Sequence, residues 1–202
     1  MMPDIKGGGR RGRSGAAAVA QSPVMDRIEH TEITAGLWHL RPPREAEAAA
    51  LLELAADPQV RLYTPKLNGL ATEEQAREQL RDWAAWDGRA VFSILESSTE
   101  RYAGHVMVFD FEDAGAGAVI GYRVSPWARG RGAATTAVRC ATGWAFAVLG
   151  LERLTLAHSV GNDASCRVAE KNGYLLESAP RASFLGGDGL LHDTHVHIRT
   201  AA

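Results

Sequence analysis

The run Pro126-Trp127-Ala128-Arg129-Gly130-Arg131-Gly132-Ala133-Ala134 sets small residues at 130, 132, 133 and 134 beside two arginines, with no acidic residue among them. If a helix starts near Gly132, its first turn presents unpaired N–H groups and the positive end of its dipole. Small residues let a ligand approach that backbone closely, so the natural occupant is a phosphate. Arg129 and Arg131 add charge, and a guanidinium can bond phosphate oxygens in pairs. A Walker loop needs Lys-Ser or Lys-Thr after its last glycine, where Ala133-Ala134 stand, and that reading fails. A dinucleotide G-x-G-x-x-G loop is met at Gly130 and Gly132 but has Thr135 in its third place. It stays a weaker alternative, as does a helix start whose glycines only permit close packing. Elsewhere, Asp193, His195 and His197 alternate and so share one face of a strand, a spacing a metal could use. Packed or exposed histidines are the ordinary reading of such a strand, and no metal is expected. Cys140 and Cys166 form no CxxC pair or zinc spacing and read as small buried apolar residues.

A phosphate cradle needs a strand before it and a helix after it, and the patterning supplies both. Residues 118–124 read as a strand, and residues 132–149 as a long helix closed by Gly150. Upstream, residues 32–41 read as one strand ended by Pro42-Pro43. Residues 44–56 read as a helix, with Ala48, Leu51, Leu52 and Ala55 at helical spacing and Asp57-Pro58 as its stop. Thr72 and Gln75 form a T-x-x-Q capping box for a helix running through Leu80, Trp83 and Ala84 to Gly88. Between those helices, residues 60–70 read as a long irregular connection carrying Arg61, Tyr63 and Lys66, a candidate substrate lid. Strands are expected at 90–96, 102–111 and 153–159, with a turn at 113–117, and a short helix at 162–172 before Gly173. Two last strands, 174–185 and 190–200, flank the turn Gly186-Gly187-Asp188-Gly189. The order implies an α/β or α+β domain around one mixed sheet.

A length of 202 residues fits one domain, expected at 29–202, able to bury a core without staples. Residues 1–28 are expected to be a flexible tail, rich in glycine and arginine over 1–24, with Met25 as an alternative start. A net charge of -2 gives no electrostatic reason to expect nucleic acid or an anionic membrane as partner. No apolar run approaches the roughly 20 residues that cross a bilayer. With no secretory signal pattern, a cytoplasmic location is the expectation.

The run Gly121-Tyr122-Arg123-Val124-x-Pro126-x-x-Arg129-Gly130-x-Gly132-x-Ala134-x-x-Ala137 resembles motif A of the GCN5-related N-acetyltransferase (GNAT) superfamily, Q/R-x-x-G-x-G/A. The run from Asn162 through Ser165, Val168 and Lys171 to Gly173-Tyr174 resembles its motif B, N-x-x-S-x-x-V-x-x-K-x-G-F/Y. With Leu40-Arg41-Pro42-Pro43 and His192-Asp193, the wording is similar to the branch holding ribosomal-protein N-terminal acetyltransferases of RimJ and RimL type. The likeness covers residues 33–200. It implies a mixed, mostly antiparallel, splayed central sheet with helices on both faces. It also implies transfer of an acetyl group from acetyl-CoA, as co-substrate and without a metal, to a primary amine by direct attack in a ternary complex. The acceptor is a peptide N-terminus or a small-molecule amine, and a homodimer is left open.

On this likeness the gap lies between 122–124 and 156–158, where the pantetheine arm adds like a strand. Backbone groups of Tyr122, Arg123 and Val124 would hold it, with Val124 as the oxyanion donor. The N–H groups of Arg129, Gly130, Arg131, Gly132, Ala133 and Ala134 would hold the pyrophosphate, and Asn162 would reach the pantetheine. Ser165 would protonate the leaving thiolate. The pattern departs from the family at two places: Ala169 stands where a tyrosine general acid is common, and Val119 where a glutamate is common in this branch. His105, Asp110, Glu112 and His158 are the remaining candidates for a base, each more readily structural. These departures motivate a second reading, a CoA-binding sensor or regulatory protein that has lost catalysis.

Overall fold

Between residues 89 and 124, small and branched apolar side chains alternate closely enough to cover both faces of a sheet. Ala90, Phe92 and Ile94 enter one buried cluster, and Val91 and Leu95 enter another on the opposite face. The computed structural model describes residues 29–112, 116–177 and 181–201, without the side chains of Lys66 and residues 181–183. The expected tail at 1–28 and most of the turn at 113–117 lie outside the described residues.

The described strands are β1 (Ile33–Ala35), β2 (Trp38–Arg41), β3 (Arg89–Glu96), β4 (Tyr102–Phe109), β5 (Gly117–Val124), β6 (Arg153–Ser159), β7 (Leu175–Leu176), β8 (Arg181–Leu185) and β9 (Leu191–Thr200). They form one sheet in the order β1-β2-β3-β4-β5-β6-β9-β7, with β8 also paired to β9. All the described pairings are antiparallel except that of β5 with β6, where a helix carries the chain over to a parallel neighbour. That helix is α4 (Ala133–Ala147), which shares its face of the sheet with α5 (Asp163–Lys171). The other face is covered by α1 (Ala48–Ala56), α2 (Pro58–Tyr63) and α3 (Glu73–Ala84). Helices therefore lie on both faces of a mixed, mostly antiparallel sheet, as expected.

Several boundaries differ from the sequence reading, each for a local reason. The first strand is two, because the chain turns at Gly36-Leu37 and pairs Ile33 with Leu40. Residues 60–70 are not irregular: α2 and a 3-10 turn at Pro65–Leu67 occupy most of them. Asp57-Pro58 stops α1 and at once starts α2, since the Asp57 side chain accepts from the Val60 N–H and proline sits at the first helical position. The strand expected over 174–185 is broken into β7 and β8, with residues 178–180 outside the described residues. The capping box is present in full: the Gln75 N–H donates to Thr72 while the Gln75 side chain accepts from the Thr72 N–H.

Near the end of β5, the partner strand β4 carries a bulge. The register slips between Ile94↔Gly104 and Leu95↔Tyr102, and the inward face changes parity from Ala103 to Val106 and Val108. Gly104 has φ +138°, and a Cβ there would stand 2.0 Å from the Arg123 carbonyl oxygen. Only glycine lets the two backbones approach this closely. We expect Gly104→Ala to force β4 and β5 apart and lower the unfolding free energy by ~3 kcal/mol, read as a fall in the urea midpoint at unchanged m.

Candidate active site

The chain leaves β5 through Ser125, makes a 3-10 turn at Pro126–Ala128, and enters α4 across Gly130 (φ +73°) and Gly132 (φ +83°). Both glycines are needed for their left-handed backbone, since a Cβ at either would meet nothing within 4 Å. Gly132 is the N-cap of α4 and no side chain caps this end; the first helical bond runs from the Thr136 N–H to the Gly132 carbonyl at 2.9 Å. The N–H groups of Ala133, Ala134 and Thr135 therefore have no intrahelical acceptor and lie at the positive end of the helix dipole. By contrast α2, α3 and α5 are capped by Asp57, Thr72 and Asn162. An uncapped helix start behind two left-handed glycines is a cradle for a phosphate.

The two arginines behave differently from the expectation that their charge serves the cradle directly. The Arg129 guanidinium bonds both oxygens of Asp57 (2.5 and 3.3 Å), and its Nε donates to the Val124 carbonyl (3.2 Å). Arg131 pairs with Glu96 at 2.7 Å and lies over the Trp127 ring. Their backbone N–H groups donate to Pro126 and Ala128 carbonyls in tight turns. These side chains fix the loop's shape, and the free amides are those of the helix start. Burial alone would raise the Asp57 pKa, but the hydrogen bonds from Arg129 and Val60 and the Arg129 charge outweigh it and hold the carboxyl below its usual range.

Beside the cradle, β5 and β6 part. They pair only at Gly117↔Arg153, Ala118↔Leu154 and Val119↔Thr155, although β5 continues to Val124 and β6 to Ser159. From Leu156 onward β6 is paired on its other side alone, to β9. Which backbone groups face the gap follows from strand alternation. The Arg123 carbonyl lies against Gly104 and the Ser125 N–H donates to Ala103, so both point to β4. The N–H and C=O of Tyr122 and Val124 must then point the other way, into the gap. Arg123, expected among the gap-facing backbone groups, is turned away.

Across the gap, α5 presents Asn162 and Ser165. Asn162 caps the helix through its Oδ1, accepting from the Ser165 N–H (3.2 Å), a use that leaves the amide nitrogen out of the bond. The Tyr122 hydroxyl donates to Ser165 Oγ at 3.1 Å, so a side chain from β5 bridges to α5. Burial raises the Tyr122 pKa, with the Ser165 bond pulling weakly the other way, and the phenol stays protonated. The sequence reading used only the Tyr122 backbone; an aromatic facing the gap two residues before the strand end was the available signal.

The four candidate bases are placed elsewhere or engaged. His105 is fully buried between Tyr102 Oη (2.8 Å) and the Arg123 guanidinium (2.9 Å), and burial pushes its pKa well down. Burial also lowers Arg123, to about 10. Asp110 and Glu112 follow Phe109, which pairs with Val119 at the closed end of the gap, and Glu112 pairs with Arg153. His158 donates from Nδ1 to the Ser159 carbonyl at 2.8 Å and turns Nε2 toward His197. Ala169, on the inner side of α5, is buried in the core. Of the tryptophans, Trp83 packs on His105, and Trp86 and Trp144 pack with Phe92.

The candidate lid at 60–70 and the turn at 186–189 meet each other. The Gly187 N–H donates to the Leu62 carbonyl at 2.9 Å, and a Cβ at Gly187 would stand 2.0 Å from the Arg61 carbonyl oxygen. The Tyr63 hydroxyl reaches the Gly161 carbonyl at 3.1 Å. One wall thus runs from α2 to the β8–β9 turn and to the start of α5.

Against known proteins, a family model described as an acetyltransferase (GNAT) domain matches residues 38–175. No curated protein matches the chain. Among solved structures, an acetyltransferase (GNAT family) from Bacillus anthracis superposes with a TM-score of 0.74 at 21% identity, over 84% of this chain and 98% of that one. RimL, a ribosomal L7/L12 alpha-N-protein acetyltransferase in complex with coenzyme A, gives a TM-score of 0.74 at 20% identity, over 84% and 98%. A ribosomal-protein-S5-alanine acetyltransferase from Vibrio fischeri gives 0.71 at 16% identity, over 84% and 96%. At these identities the structural likeness is one of fold.

Asp57 joins α2 to the cradle, and its lowered pKa sets the sign of a pH effect. A carboxyl depressed on folding stabilises above its unfolded value, ordinarily 3.8, and loses that contribution as pH falls through the folded value. Asp57→Asn should cost roughly 1–3 kcal/mol in urea unfolding at pH 5 and at pH 7 alike. The gap between wild type and variant should narrow as pH falls below 3.8, where the unfolded carboxyl takes up its proton, and close once pH has passed below the lower folded value.

Proposed function

The chain belongs to the GNAT acetyltransferase family, whose domain model matches residues 38–175, and we propose that it moves an acetyl group from acetyl-CoA to a primary amine by direct attack in a ternary complex. The enzyme class, acyltransferase, follows from the family. The observation that carries the finer reading is the parting of β5 from β6 after Val119↔Thr155, next to the uncapped start of α4. A pantetheine arm is an extended amide chain, able to bond the gap-facing groups of Tyr122 and Val124 as a strand would. The pyrophosphate then falls at Gly132, Ala133 and Ala134, with Gly130 letting it approach.

The reaction needs few side chains. The amine lone pair attacks the thioester carbonyl carbon, and the oxygen takes up negative charge beside the Val124 N–H. Collapse breaks the carbon–sulfur bond. Ser165 gives its hydroxyl proton to the thiolate and recovers one from Tyr122, whose phenol is kept protonated by burial. The proton lost by the amine passes to water and restores the phenol. No side chain is assigned as base; holding amine and thioester together supplies much of the rate. The acceptor lies along the wall made by α2 and the β8–β9 turn, and a peptide N-terminus and a small-molecule amine both suit it. The likeness to RimL, a ribosomal L7/L12 alpha-N-protein acetyltransferase, favours the peptide.

Thiol release from acetyl-CoA should be followed with peptides of free N-terminus, polyamines and aminoglycosides. Turnover with at least one class is expected; tight CoA binding with no release across the panel would make the chain a CoA-responsive sensor instead. On the active substrate, Ser165→Ala should lower kcat by about 10²-fold and Tyr122→Phe by about tenfold, each with little change in KM for acetyl-CoA. An unchanged kcat in both would remove the proton relay.

A further inference from the structure

One cluster takes no part in that chemistry. His158 on β6 and His195 on β9 are direct cross-strand partners, so they share a face, and His197 lies two residues on. Cys166, on α5 above that face, completes a group whose ligand atoms all lie within 4.8 Å of one another. His158 Nε2 and His197 Nε2 are 3.2 Å apart, and Cys166 Sγ is 3.7 Å from His197 Nε2. A tetrahedral zinc ion with Zn–N of 2.0–2.1 Å and Zn–S of 2.3 Å has nitrogen–nitrogen edges of about 3.3 Å and nitrogen–sulfur edges of about 3.6 Å. The two closest separations already match those edges.

The surroundings fit a metal better than a hydrogen-bond network. The Ser159 carbonyl can only accept, so His158 Nδ1 carries the proton and its Nε2 lone pair is aimed at the centre of the cluster. His197 is fully buried with a main-chain hydrogen-bonding group of Tyr174 beside it, and the Nδ1 atom of His195 is buried without a hydrogen-bond partner. The bond between His158 and His197 leaves that His195 nitrogen unsatisfied, and an orphaned buried nitrogen is costly. Alternation on β9 had grouped Asp193 with the two histidines; the fold brings in His158 and Cys166 in its place.

We propose that His158, Cys166, His195 and His197 form a closed tetrahedral zinc site that fastens α5 to β6 and β9. Three imidazoles and one thiolate are a zinc donor set, and four protein ligands leave no open position, which makes the site structural. Binding releases the Cys166 thiol proton to solvent. Its effect on the enzyme runs through α5, which carries Asn162 and Ser165; the site itself stands whether or not acetyl transfer is the reaction.

The full chain, without a polyhistidine tag, should be stripped with chelator and titrated with Co2+, then competed with Zn2+. One Co2+ per chain is expected, with the strong visible bands of tetrahedral cobalt and a near-ultraviolet thiolate-to-cobalt band, displaced by one equivalent of Zn2+. Cys166→Ser should abolish the thiolate band, and His195→Gln should weaken affinity at least tenfold, with far-ultraviolet circular dichroism unchanged in both. Zn2+ should raise the Tm of wild type and not of the double variant. No uptake, the weak spectrum of octahedral cobalt, or uptake indifferent to both substitutions would each overturn the proposal.

Discussion

Two parallel strands that stop pairing while both continue are the constraint around which this molecule is arranged. Backbone N–H and C=O groups removed from water must find partners, and beyond Val119 and Thr155 those of β5 and β6 do not find them in each other. β6 is paired to β9 on its far edge, which leaves its own gap-facing groups open as well. β5 leaves Tyr122 and Val124 facing the gap, held in that orientation because Arg123 and Ser125 are bound to β4 across the Gly104 bulge. An extended amide ligand is the partner such a gap is shaped for.

Around the gap, polar contacts keep neighbouring elements in place rather than serving a ligand directly. Asp57 caps α2 and clamps Arg129, and Arg129 takes the Val124 carbonyl. Arg131 does the same toward Glu96 at the end of β3. Charges that look available in the sequence are consumed by protein carboxylates, which leaves the α4 amides as the site's positive end. Tyr122 and Ser165 close the far side with a neutral pair.

What could be read beforehand was what neighbours in sequence decide. Thr72 and Gln75 announce a helix start by themselves, and residues 153–159 and 163–171 fall inside the expected elements because their boundaries rest on local caps and turns. The cradle is equally local: glycines at a strand-to-helix junction. The contacts that assemble the site are not. Arg129 meets Asp57 across 72 positions and Tyr122 meets Ser165 across 43. Asp-Pro reads as a stop or a start by the same chemistry, and only the position of the next turn decides. The histidine and cysteine cluster draws on three segments whose spacing in the chain resembles no metal motif.

The bond between Gly187 and Leu62 is made by main-chain atoms on both sides, and the only demand it places on identity is that position 187 carry no Cβ. The exposed side chains beside it, such as Arg61 and Leu190, can therefore be exchanged without breaking that bond, while Tyr63 and Leu67 stay fixed by Gly161 and the core. A scaffold joined in this way can be re-lined for a different amine while its frame is preserved, so selectivity can drift independently of stability.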